Sequence, residues 1–151
     1  QYRKIFEKSW QELREMARNG MFTPHQKQDI VCMMYHLCLE KLDTPKRIHT
    51  SSTWNFNLVL GDVEGEKRKE QKFTHCLLAE FKFILKPAEK RVLKEARKAL
   101  DGLSREGNAY TRRVFAIFDK VNCIEPEEIE ELKRCVRNVT ILHSLEIRSR
   151  I

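Results

Sequence analysis

Glycine and proline are both scarce in this sequence, with five and four residues among 151. All-β domains use turn residues at short intervals, so their scarcity argues for long helices joined by few turns. No apolar run approaches the ~20 residues that a membrane-spanning helix needs. The chain starts with a charged amphipathic stretch instead of a signal peptide. These absences predict an intracellular protein, in the cytoplasm or the nucleus, that has no membrane partner.

Short catalytic and nucleotide-binding motifs are also missing. The five glycines cannot build a phosphate-binding loop or a Gly-x-Gly-x-x-Gly turn, and no Gly-x-Ser-x-Gly occurs. The carboxylates of 127–131 are typical of a solvated, acidic helix start. The sequence therefore gives no catalytic residue, and we expect a protein that is not an enzyme and has no small-molecule substrate.

Cysteine is present in an odd number, which argues against a disulfide framework. The five positions are Cys32, Cys38, Cys76, Cys123 and Cys135. Buried free thiols in a reducing compartment explain this pattern best. Two Cys/His pairs, Cys32 with His36 and His75 with Cys76, could in principle form a zinc tetrahedron, but no Cys-x-x-Cys supports one. We expect no metal and no cofactor.

Apolar periodicity predicts an all-α fold of about six amphipathic helices in antiparallel hairpins. They could close into a globular bundle or stack like HEAT repeats. The predicted helices cover 2–18, 24–42, 66–85, 87–100, 108–121 and 125 to about 145. In the fifth, Val114, Ile117, Phe118 and Val121 form the inward stripe. Residues 1–151 are expected to form a single domain, and the start at Gln1 suggests a piece excised from a longer protein.

One segment departs from the helical pattern. Apolar residues alternate with Asn55, Asn57 and Val59 at a period of two, which is typical of a strand. They are Trp54, Phe56, Leu58 and Leu60. Three interpretations stay open: an extended loop that plugs the core, a continuation of helix, or an edge strand that pairs with a partner or a second copy. No partner strand is evident within the chain, so these four residues are the candidate protein-binding site.

Positive charge is concentrated in one stretch. The formal net charge is +7, and residues 82–113 carry ten basic and four acidic side chains. Such a field favours an anionic partner. The candidate polyanion-binding residues are Lys86, Lys90, Arg91, Lys94, Arg97, Lys98, Arg105, Arg112 and Arg113. If the fourth and fifth helices form a hairpin, these side chains could follow a phosphate backbone.

Two functions follow as hypotheses. The first is a non-catalytic interaction or scaffold module of a larger intracellular regulatory protein, which contacts a protein partner or forms a homodimer. The alternative is an RNA- or DNA-binding helical module that uses the basic surface of 82–113. The first depends on the 54–60 segment and on the absence of catalytic motifs, whereas the second depends on charge alone.

Overall fold

The computed structural model describes residues 1–50, 56–65, 71–87 and 92–144. Within these ranges the chain forms four α-helices and five β-strands. The helices are α1 (Tyr2–Arg18), α2 (Lys27–Lys41), α3 (Val92–Ser104) and α4 (Pro126–Cys135). The strands are β1 (Ile48–His49), β2 (Leu58–Leu60), β3 (Leu77–Ile84), β4 (Arg112–Asp119) and β5 (Thr140–His143), and a 3₁₀ turn at Pro45–Arg47 precedes β1.

The strands form one mixed sheet in the order β1-β2-β3-β4-β5. The first three are antiparallel neighbours, and Leu58 of β2 lies opposite Ala79 of β3. β3 and β4 are parallel over their full lengths, and β5 is parallel to β4. Parallel neighbours need crossover connections, which α3 and α4 provide. The topology therefore changes at β3, from an antiparallel meander to two strand–helix–strand units.

Helices cover both faces of the sheet. Phe6, Trp10 and Leu13 of α1 pack with α2 against one face, where Phe81 of β3 is fully buried. On the other face, α3 and α4 pack against a second apolar cluster that includes Phe115 of β4. β3 and β4 are the central strands and are buried on both sides, so the fold has three layers, with the sheet in the middle.

The prediction of an all-α bundle or HEAT-like stack is wrong. The predicted third helix covers β3, the predicted fifth helix is β4, and the predicted sixth ends early and is followed by β5. The physical reason is burial on two faces, because a central strand is apolar at successive positions and loses its period-two pattern. The predictions for α1, α2 and the start of α4 agree with the structure to within three residues, and the predicted fourth helix overlaps α3 over 92–100.

The last three residues of the 54–60 segment form a strand. Leu58–Leu60 form β2, which lies between β1 and β3 and pairs with both. The expectation that the chain holds no partner strand is therefore wrong, because β1 was too short to recognise and β3 had been assigned to a helix. Residues 51–55, including Trp54, lie outside the described residues.

Candidate functional site

The described pairing of β2 with β3 ends beside Glu80, in the middle of β3. β2 starts at Leu58, opposite Ala79, so in the described residues β3 continues past β2 with only Asn57 beside it. The Asn57 amide N–H donates to the carbonyl of Ala79 (2.8 Å), and its side-chain Oδ1 accepts from the Phe81 amide (2.9 Å). Asn57 thus ends the described part of the β2–β3 ladder with its side chain.

One carboxylate and two lysines meet beside this end of the described ladder. Glu80 and Lys82 are two residues apart on β3, which places both on the same face of the strand. Lys27, in the first turn of α2, reaches the same carboxylate. Glu80 Oε1 lies 3.7 Å from Lys27 Nζ and 3.9 Å from Lys82 Nζ. These distances are too long for good hydrogen bonds, so both ammonium groups approach the carboxylate loosely.

Burial dominates the electrostatics of Glu80, whose side chain is only 9% exposed. Burial raises the pKa of Glu80, and the charges of Lys27 and then Lys82 oppose that shift without cancelling it. A buried carboxylate that is incompletely compensated by its neighbours is unfavourable for stability. Groups of this kind cluster at functional sites, where a ligand or metal completes the missing interactions.

Asp119, at the end of β4, is the other buried carboxylate among the described residues, and it has a structural role. Its Oδ2 accepts from the Ile124 amide at 2.8 Å, which holds the turn that follows β4. Asn122 adopts a positive φ of 52° in that turn. The hydrogen bond to the backbone therefore explains the burial of Asp119. In contrast, no described backbone amide donates to the carboxylate of Glu80.

The raised pKa of Glu80 gives a prediction about stability. Below the ordinary carboxyl pKa of about 4.3, Glu80 is protonated in both the folded and the unfolded chain. As the pH rises, the unfolded chain ionises first, so stability is lost until the pH passes the raised folded pKa. Glu80→Gln removes this loss of folding stability with rising pH, because glutamine does not ionise. We expect thermal unfolding to show the variant as more stable than wild type at pH 7–8 and the difference to shrink on acidification. A difference that grows at low pH would contradict the direction of the shift.

The predicted polyanion-binding residues are spread over three elements and do not form one stripe. Lys86 follows β3, Arg97, Lys98 and Arg105 belong to α3 or its end, and Arg112 and Arg113 lie on β4. Arg97 pairs with Glu131, and Arg105 Nη2 lies 2.8 Å from Asp101. Lys90 and Arg91 lie outside the described residues, and Lys94 is described only as part of helix α3.

The predicted protein-binding residues that the structure describes are buried within the chain. Leu58 and Leu60 are fully buried against α1 and α2, and Phe56 is buried beneath the opposite helices. Phe56 packs edge-on against Phe73 with ring centroids 5.2 Å apart. These contacts belong to the core of the domain, so the described part of the segment presents no apolar surface to a partner.

The cysteines are free thiols, of which two are buried. Burial raises the pKa of both Cys38 and Cys76 to about 11, so both stay protonated at neutral pH. Cys32 and Cys135 are exposed, contrary to a wholly buried set. In the described part of the chain, no three His, Cys, Asp or Glu side chains converge as metal ligands, and no helix is long and apolar enough to cross a membrane.

No protein-family model matches this chain, and no curated protein or solved structure is significantly similar to it. The chemistry of the Glu80 site must therefore be argued from its own geometry. Sequence reasoning missed Glu80 and Lys82, although both stand out as charges within an apolar run. Two charged residues within the apolar run of a buried strand were the signal that could have identified the site.

Proposed function

We propose that this domain cleaves phosphodiester bonds in nucleic acid, with a divalent cation held on Glu80. The observation that supports this best is the buried Glu80 carboxylate between two lysines, at the end of the described β2–β3 ladder. Mg²⁺ is commonly bound by one or two carboxylates, several waters and the phosphates of the substrate, and does not need a cage of protein ligands. A single carboxylate is compatible with that mode of binding.

A second ligand is available from the backbone. The Phe81 N–H points toward Asn57, and the N–H and C=O of one residue point to the same side of a strand. The Phe81 carbonyl therefore points to the side of β3 on which Asn57 lies. Carboxylate, carbonyl and water oxygens together form a hard donor set that suits Mg²⁺ or Mn²⁺.

Lys27 and Lys82 supply the positive charge that phosphodiester cleavage needs in addition to a metal cation. Water attacks phosphorus, the bond to the leaving oxygen breaks, and the water's protons end on the leaving oxygen and in the solvent. A bound Mg²⁺ would act as a Lewis acid on the phosphoryl oxygen. Lys82 and Lys27 stabilise the negative charge on the remaining phosphate oxygens, and the substrate in turn gives both ammonium groups closer partners than Glu80 does.

The charge of the domain supports a polyanionic substrate. The net charge of +7 attracts nucleic acid, and Lys86, Lys98 and Arg112 are exposed on the surface. This keeps the nucleic-acid hypothesis and adds a reaction to it. The interaction or dimerisation module stays a prediction that no observation here tests. Free cysteines favour a reducing compartment, and we propose the cytoplasm or the nucleus.

The experiment that tests this proposal is a cleavage assay with the purified domain. Fluorescently labelled single-stranded DNA, duplex DNA and single-stranded RNA are incubated with Mg²⁺, with Mn²⁺ or with EDTA. We expect cleavage of at least one substrate with a divalent cation and none with EDTA. Three intact substrates under all ionic conditions would overturn the proposal, and cleavage that persists in EDTA would overturn the role of the metal.

A further inference from the structure

A second site lies at the end of the sheet where β4 and β5 begin. A cavity of about 210 Å³ opens there, between the start of α1 and the two strands. Four arginines from three parts of the chain line it: Arg3, Arg112, Arg113 and Arg137. We call it the arginine cleft. No aspartate or glutamate is among the described residues that line it.

Two of these arginines carry charge without a partner. Arg112 and Arg137 are exposed, and within the described residues neither side chain makes an ion pair or a hydrogen bond. Arg3 Nε lies 3.0 Å from Glu7 Oε1, in an ion pair at the surface that contributes little energy. Like charges gathered around one cavity repel each other, so the cleft is less stable empty than with an anion inside.

Arg113 lies beside the cleft in a fixed position, with its side chain on the opposite face of β4 from Arg112. It is only 8% exposed, and its guanidinium donates to the carbonyls of Glu106 (2.8 Å), Asn108 (3.0 Å) and Thr111 (3.1 Å). These acceptors are neutral, so they position the guanidinium without cancelling its charge. The Glu106 side chain offsets part of the field, while burial lowers the pKa of Arg113. Arginine nevertheless stays protonated under these conditions.

The loop 106–111, whose carbonyls accept from Arg113, is fixed by contacts of its own. Gly107 has a φ of 75°, and a Cβ at this position would lie 2.3 Å from Thr111 Oγ1. The Thr111 hydroxyl donates to the Phe73 carbonyl at 2.7 Å and accepts from the Asn108 amide at 3.0 Å. The carbonyls that position Arg113 are therefore held in place by contacts within the loop.

We propose that the arginine cleft binds a phosphate group, supplied by a nucleic-acid backbone or free in solution. Guanidinium groups match the oxygens of phosphate in planar pairs of hydrogen bonds, and several arginines from different elements suit a tetrahedral anion. The site is separate from Glu80: it lies toward β5, whereas Asn57 and β2 border Glu80 on the other side of β3. The inference does not depend on the proposed cleavage reaction.

The test uses two probes and three proteins. Inorganic phosphate is titrated by calorimetry, and a labelled single-stranded oligonucleotide is titrated by fluorescence anisotropy at several salt concentrations. The proteins are wild type, the double variant Arg112→Gln/Arg137→Gln, and Arg134→Gln. Arg134 is an exposed arginine on α4 outside the cleft and is the matched control. All three substitutions are at exposed positions, so we expect the variants to fold normally.

We expect at least one probe to bind wild type and to lose tenfold or more in affinity in the double variant, with little change in Arg134→Gln. If the oligonucleotide is the ligand, the dependence of log K on log salt should become shallower by about two units. Binding of inorganic phosphate alone would identify a free phosphate as the source. If neither probe binds, or if Arg134→Gln weakens binding as much as a cleft substitution does, the proposal is wrong. Both titrations are made in EDTA, without a divalent cation, so their outcome is independent of the metal-dependent cleavage assay.

Discussion

Replacing Glu80 with glutamine is expected to lower the rate of Mg²⁺-dependent cleavage by about a hundredfold or more, because Lewis-acid stabilisation contributes several kcal/mol. Glutamine has nearly the same shape as glutamate but gives a cation a single neutral oxygen. The domain should stay folded, since Lys27 and Lys82 are 41% and 24% exposed and can be solvated without the carboxylate. The measurement is the single-turnover rate on the substrate that wild type cleaves fastest.

The roles of Glu80 and Lys82 can be separated by measuring metal binding alongside the rate. Mn²⁺ binding, followed by the relaxation of solvent protons, should be lost in Glu80→Gln and kept in Lys82→Met. Cleavage should fall in both variants, because Lys82 acts on the phosphate and not on the cation. If Lys82→Met lost Mn²⁺ binding together with cleavage, the lysine would be supporting the position of Glu80 and would not be stabilising charge on the substrate.

A matched control is available on α4. Glu130 and Lys133 form an exposed ion pair, with side chains 64% and 50% exposed. Glu130→Gln and Lys133→Met repeat the same chemical changes on α4, outside the Glu80 site. They should leave the rate within about twofold of wild type. Equal losses in the control pair and in the Glu80 variants would mean that the activity follows overall charge or a contaminating nuclease.

The helices could be predicted from the sequence because each has a local signal. α1 has a clear apolar stripe, and α4 begins with Pro126 and an acidic first turn in which Glu128 completes a capping box with Glu125. These signals lie within a few residues of each other and do not depend on the rest of the fold. The boundaries of α1 and the start of α4 were therefore predicted well.

The central strands could not be predicted from periodicity, because their pairing depends on residues far away in the sequence. β3 is buried at five consecutive positions from Leu77 to Phe81, and β4 at seven, from Arg113 to Asp119. Short apolar runs of this kind suit a buried strand or a buried helix equally well. The β-branched and aromatic residues of 114–118 favoured a strand, and that preference should have outweighed an incomplete helical stripe.

The same mistake concealed the candidate site. On a helix, positions 80 and 82 are about 200° apart, so Glu80 and Lys82 would point to opposite sides. On a strand they share a face, and a carboxylate and a lysine come together. Lys27 and Asn57 join them only through tertiary structure, since α2 and β2 are distant in the sequence. The pair on β3 was thus predictable from a correct strand assignment, and the remaining residues were not.

The difference between the helical and the strand assignment predicts opposite results for two substitutions in the same segment. A helix over 108–121 would have turned Val121 inward and left Phe115 off the apolar stripe, whereas in the sheet Phe115 is fully buried and Val121 is 39% exposed. Phe115→Ala should lower the free energy of unfolding by about 3–5 kcal/mol, and Val121→Ala should change it by about 0.5 kcal/mol or less. Urea denaturation followed by circular dichroism measures both. If Phe115→Ala does not fold, we expect Phe115→Leu to lower the free energy of unfolding by about 1.5 kcal/mol or slightly less. A larger loss in Val121→Ala than in either Phe115 variant would contradict the sheet and, with it, the site at Glu80.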